Sequence, residues 1–191
     1  MCRILLSALA SLILPTAMFA QSDAFQIRYA ANLNVGDSVI DLTNAGSTGG
    51  NICANVYAFS PDEQLIACCT CPVTPNGLNS LSARRDLTSN TLTGVRPNSI
   101  VIKLLASAGV GGVCNAASPG PLVSGLRAWG TTIHLLPSGA PALTETEFLN
   151  ATLSASELSR ITSLCGFIQV NGSGFGICGS CRTGGLAAPK L

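Results

Sequence analysis

Apolar and polar positions alternate along most of the chain beyond residue 24, the two-residue period of a strand with one face buried. Phe25, Ile27 and Tyr29 are separated by polar side chains and predict a first strand. Asp37 to Leu42 predicts a second, ended by the turn-rich run Asn44 to Gly50. Ile52 to Phe59 has no charge on either face, with Ile52, Ala54, Val56 and Ala58 one way and Cys53, Asn55, Tyr57 and Phe59 the other. Both faces are therefore expected to be covered by protein. Ser60-Pro61-Asp62-Glu63 is a turn signal, and Gln64 to Cys71 returns antiparallel to make a hairpin, stopped by Pro72, Pro75 and Asn76-Gly77. Leu78 to Leu92 fits either a short helix or a loop, with half the charge of Arg84-Arg85-Asp86 facing water. Ser99 to Ala106 and Gly125 to Leu136 alternate again, separated by the loop Gly109 to Gly120, which holds Cys114; Pro137 to Pro141 ends the latter.

The period changes in the last third. Thr144 with Glu147, and Ser154 with Glu157, fit capping boxes. Leu158, Ile161, Leu164 and Cys165 then fall at helical spacing, so the pattern predicts an amphipathic helix over Ala155 to Cys165, with Gly166 as its C′ residue. Phe167 to Val170 adds one strand before a glycine-rich tail. Together these elements predict a mainly β chain: a disulfide-stapled antiparallel β-sandwich or Greek-key domain with one short C-terminal helix. There is no internal repeat and no linker that would divide residues 21–191 into two domains.

The start of the chain reads differently. Arg3 precedes an apolar run, Ile4 to Leu14, that is too short to span a bilayer and is closed by Pro15. Ala17-Met18-Phe19-Ala20 offers cleavage after Ala20, with Ala24 as a second choice, so residues 1–20 read as a signal peptide. Cys2 lies ahead of the apolar run rather than behind it, which disfavours lipid anchoring. No later run is long enough to cross a membrane. The expected location is secreted, extracellular or at the cell surface, with the periplasm as an alternative.

Charge sharpens this. Only 10% of residues are charged, against about 25% in an ordinary soluble protein. Removal of residues 1–20 takes away Arg3 and leaves acids and bases equal in number. A chain with few charges and no net charge repels its own copies weakly, which favours homo-oligomers or polymers. It also lacks the basic face that nucleic acid requires.

Of nine cysteines, all but Cys2 lie beyond the leader: Cys53, Cys68, Cys69, Cys71, Cys114, Cys165, Cys178 and Cys181. An even set in an exported chain predicts a disulfide framework, and eight cysteines allow 105 connectivities. On a strand, Cys69 and Cys71 point to one face and Cys68 to the other, so at least two bridges leave it. Cys178 and Cys181 could bridge each other or reach back to that cluster. The competing chemistry is a metal centre of Cys69, Cys71, Cys178 and Cys181, whose spacing suits zinc; oxidation outside the cytoplasm works against it. A redox CxxC would sit in a βαβ context, whereas this one is set among Gly172, Gly174, Gly176, Gly184 and Gly185. Haem attachment would need a histidine where Arg182 stands. No cofactor is implied.

His134 is the only histidine, and no serine sits in a GxSxG motif, so a structural role on its strand is expected. Asp62/Glu63 and Glu145/Glu147 are explained by a turn and by a helix start. The glycines from Gly172 to Gly176 are followed by no P-loop lysine. Asn150-Ala151-Thr152 and Asn171-Gly172-Ser173 match glycosylation sequons, although no modification is expected. Trp129, with Tyr57 and Tyr29, could stack on a sugar, so Trp129 and His134 are the candidate ligand contacts.

The segments NICANVYAFSPDEQLIACCTCPVTPNGLNSLSARRDL (Asn51 to Leu87), LRAWGTTIH (Leu126 to His134) and GFGICGSCRTGG (Gly174 to Gly185) resemble those of a family of cysteine-rich, exported bacterial proteins. The resemblance implies export and a shared fold; it carries no activity and no site residues. The expected function is a non-catalytic structural or self-associating extracellular protein, such as a filament or surface-layer subunit. The alternatives are an extracellular binding module for a small ligand, carbohydrate or metal and, behind it, a secreted hydrolase.

Overall fold

The computed structural model describes residues 23–88, 94–171 and 178–183. The expected signal peptide, residues 1–20, and the glycines at Gly172, Gly174, Gly176, Gly184 and Gly185 lie outside the described residues. In chain order the elements are β1 (Phe25–Ala30), β2 (Val39–Asn44), β3 (Ile52–Phe59), β4 (Leu65–Val73), β5 (Leu78–Ser82), β6 (Ile100–Ser107), β7 (Leu126–Leu135), β8 (Pro141–Glu147), β9 (Leu149–Asn150), α1 (Ala155–Asn171) and β10 (Arg182–Thr183). They form two antiparallel five-stranded sheets. The first has the order β4-β3-β6-β1-β9 and the second β10-β5-β2-β7-β8.

Alternation explains how the sheets pack. One face of β3 and β6, with Ala54, Val56, Ala58, Ile100, Ile102 and Leu104, meets Ile40, Leu42, Leu81, Leu126 and Ala128 of the second sheet in one continuous core. The other face of the first sheet, with Phe25, Tyr57, Phe59 and Leu105, forms a second core beneath Ile161, Cys165 and Ile168 of α1. The first sheet is thus covered on both sides, and every residue of β3 is buried, as its uncharged faces predict. The outer face of the second sheet has no such cover among the described residues.

The helix starts where its cap predicts: the Glu157 amide donates to Ser154 Oγ at 3.1 Å. Its end differs from expectation. The helix runs through Gly166 to Asn171, and the predicted strand Phe167 to Val170 is its last turn. Ile161, Cys165 and Ile168 form a stripe at i, i+4 and i+7, so Ile168 extends the buried face past the glycine. Three more expectations are corrected. Leu78–Ser82 is a strand, and the helical alternative holds only for the short π-helix Ala83–Leu87, while residues 89–92 lie outside the described residues. Pro72 lies within β4, where the outer position of the strand spares it a ladder bond. Thr144 and Glu147 cap no helix; they lie on β8, paired with β7.

Four disulfides staple this frame: Cys53–Cys114, Cys68–Cys165, Cys69–Cys178 and Cys71–Cys181, with Cα atoms 4.9–5.6 Å apart. Cys68 points out from β4 to α1, while Cys69 and Cys71 point the other way to residues 178–181. The Cys178 amide also donates to the Thr70 carbonyl, and Arg182–Thr183 pairs with β5. The short tail therefore seals one side of the sandwich, joining β4 of one sheet to β5 of the other.

Candidate functional site

The opposite side of the sandwich is built differently. After β8 the chain crosses from the second sheet to the first: Phe148 is buried in the core, its amide bonds the Ala128 carbonyl, and β9 adds two residues beside Gln26 and Ile27 of β1. Arg28 locks this seam. Its guanidinium donates to the Gly130 carbonyl at 2.6 Å, Thr132 Oγ1 at 2.9 Å and Thr146 Oγ1 at 3.2 Å, and it lies 5.9 Å from the Phe148 ring. Burial lowers the Arg28 pKa from its ordinary value, and the nearby Glu145 carboxylate pulls it back up. The close approach requires a glycine at 130, since a Cβ there would stand 2.7 Å from Arg28 Cζ.

Beyond this clamp, β7 and β8 form a ribbon. It pairs from Trp129↔Glu147 to Leu135↔Pro141, but β2 accompanies β7 only as far as Gly130. β8 is the last strand of its sheet, and nearly all of it is exposed. Register shows which backbone groups are open. The Phe148 amide bonds Ala128 across the pair, and the Leu136 amide bonds Ala140. In an antiparallel ladder, bonded pairs alternate with unbonded ones. Ala142, Thr144 and Thr146 therefore turn their N–H and C=O groups to β7, and Leu143, Glu145 and Glu147 turn theirs outward. The apolar side chains around the ribbon tip are exposed too: Leu143 is 67% and Leu135 57% accessible. An edge with unpaired backbone groups and apolar side chains is a template for another strand.

The sequence candidates fall on or near this ribbon. His134 is exposed, and its Nε2 lies 2.9 Å from Thr144 Oγ1 across the strand pair. That threonine is its hydrogen-bond partner among the described residues, and a hydroxyl neither orients nor activates an imidazole as a catalytic carboxylate does. Trp129 is partly buried on the uncovered face, between Asp41 of β2 and Glu147 of β8. Tyr57 is not beside it: that side chain is fully buried in the other core, its hydroxyl donating to the Ala116 carbonyl at 2.7 Å. Tyr29 lies on β1 of the first sheet, so the three aromatics form no common platform.

Asp62 and Glu63 sit in the β3–β4 turn as expected, whereas Glu145 and Glu147 are edge-strand residues and not helix-start residues. The proposed zinc ligands do come together, with Cys71, Cys178 and Cys181 sulfurs within 4.8 Å of one another. The geometry joins them as Cys69–Cys178 and Cys71–Cys181, and a sulfur shared in a disulfide is not the thiolate a metal needs. Sequence reading passed over Arg28 and the open edge of β8. The threonine–glutamate alternation of Thr144 to Glu147 suits a strand, but nothing in it marks that strand as an edge. No helix among the described residues is long and apolar enough to cross a membrane. With four disulfides, this fits a compartment outside the reducing cytoplasm. Compared with family models, curated proteins and solved structures, the chain returns no match in any of the three.

Proposed function

We propose that the protein is a secreted, non-catalytic structural protein of the extracellular space or cell surface, and that it associates with copies of itself through the open edge of β8. The observation that carries this reading is the ribbon. A seven-residue edge strand stands with outward backbone groups at Leu143, Glu145 and Glu147, on a sandwich whose other flank is sealed by covalent bridges. The scarcity of charge adds to it, since two copies approach with little repulsion. The four disulfides support a location outside the reducing cytoplasm.

The two glutamates select the kind of contact. Two β8 edges meeting antiparallel about Glu145 would set like charges opposite one another, which destabilises the pair. The association is therefore heterologous, with β8 of one copy against a different edge of the next, and such a contact leads to open-ended assemblies. Glu145→Pro tests this. It removes an outward N–H and no bond to β7, so the sandwich stays folded while the edge loses its donor. The expected result is a loss of the large species in sedimentation. Equal assembly of variant and parent would remove β8 from the account, and a monomeric parent would remove self-association.

A further inference from the structure

A second polar feature lies where β2 begins and β5 ends, Val39 pairing with Ser82 there. Asp37, Ser82, Arg84, Arg85 and Arg96 line a cleft of about 430 Å³. In a chain with 10% charged residues, three guanidinium groups on one cleft are a concentration of charge that folding alone does not explain. Among the described residues, several other basic side chains have acidic partners: Lys103 and Arg160 meet Glu157, and Arg127 meets Asp23 and Glu147. Arg85 lies 3.4 Å from Asp86. Arg84 and Arg96 are exposed and make no ion pair among the described residues.

The floor beneath them is ordered. Asp37, the one acid in the lining, is already engaged: Oδ1 accepts from the Arg84 amide at 2.9 Å, and Oδ2 accepts from the buried Ser82 hydroxyl. The same hydroxyl accepts from the Arg85 amide at 3.0 Å, which fixes the π turn that carries both arginines. The Arg85 guanidinium donates to Ser180, a fully buried residue between the two bridged cysteines Cys178 and Cys181. Two disulfides thus hold the tail against which Arg85 rests.

We propose that this cleft binds a phosphate monoester. The planar forks of arginine match such oxyanions, donating paired N–H groups to two oxygens at once. A phosphate monoester offers three terminal oxygens and a charge near −2, whereas a carboxylate offers two oxygens and −1, and a sulfate monoester only −1. Three arginines lining one cleft, two of them without an ion pair among the described residues, fit the former. The site is independent of β8 and of self-association.

The test is a titration of the oxidised, 15N-labelled protein with inorganic phosphate, methyl phosphate and sodium chloride at matched ionic strength, followed by amide shifts. The expected result is saturable shifts confined to residues near 37, 82–86 and 96 with both phosphates and none with chloride. Arg84→Gln with Arg96→Gln should weaken binding by roughly tenfold or more, while Arg160→Gln leaves it unchanged. The same spectra report whether each variant is folded, and Arg96→Gln alone is read if the double variant is not. Saturation by inorganic phosphate but not methyl phosphate would mean that the free anion, and not an ester, is the ligand. Shifts that chloride reproduces, or that survive the arginine changes, would overturn the site.

Discussion

Arg28 shows how much a single buried charge constrains its neighbours. A guanidinium taken out of water is costly unless its donors are met, and here a carbonyl and two threonine hydroxyls hold Nη2 across both strands of the ribbon, while Nε is buried with no partner among the described residues. Gly130→Ala would push the group off these acceptors, with an expected loss of about 2–4 kcal/mol in denaturant unfolding. Arg28→Met removes the charge itself, so Gly130→Ala should cost clearly less in that background. Equal costs in both backgrounds would mean that the clamp is not what Gly130 serves.

Tyr57 makes a second prediction at this scale. Burial pushes its phenol well above the ordinary value of 10.0. Above that pH the unfolded chain releases a proton that the folded chain keeps. Stability is therefore fully present below pH 10 and falls above it, by about 1.4 kcal/mol per pH unit. Tyr57→Phe should lose about 1 kcal/mol at neutral pH, with its bond to Ala116 gone, and show a shallower alkaline decline. Unfolding midpoints measured from neutral to alkaline pH check both.

Among the elements, those whose pattern matches their burial were legible. β3, β6 and the cap of α1 stand where alternation and Ser154 place them. The elements that were misread are those decided by a partner distant in sequence. Thr144 and Glu147 match a capping box by spacing alone, but the exposed run around them becomes a strand because β7 offers it a ladder. Leu78–Ser82 pairs with β2 for the same reason. The extension of α1 was readable at Ile168, three residues after Cys165. The open β8 edge was illegible because neighbour order within a sheet is not written in local pattern, while the cleft's Arg84 and Arg85 read only as solvated charge. Cys68–Cys165 carries a prediction for α1. Replacing both cysteines with alanine should cost about 2–5 kcal/mol and speed amide exchange in the helix more than in β3 and β6. Uniform acceleration would mean that the bridge holds the whole domain and not the helix.

For the molecule as a whole, the two flanks of the sandwich are closed by unlike means. Residues 178–183 and two disulfides cover one, and Arg28 with the Phe148 crossing closes the other while leaving β8 open beside it. A covalently stapled frame with an open β8 edge fits the proposed role of an assembling unit. The central claim is that this edge assembles copies of the protein. Sedimentation velocity of the oxidised protein from micromolar to millimolar concentration tests it most directly. The account predicts a series of larger species that grows with concentration and that Glu145→Pro collapses to the monomer. A single species of monomer mass across the whole range would contradict it.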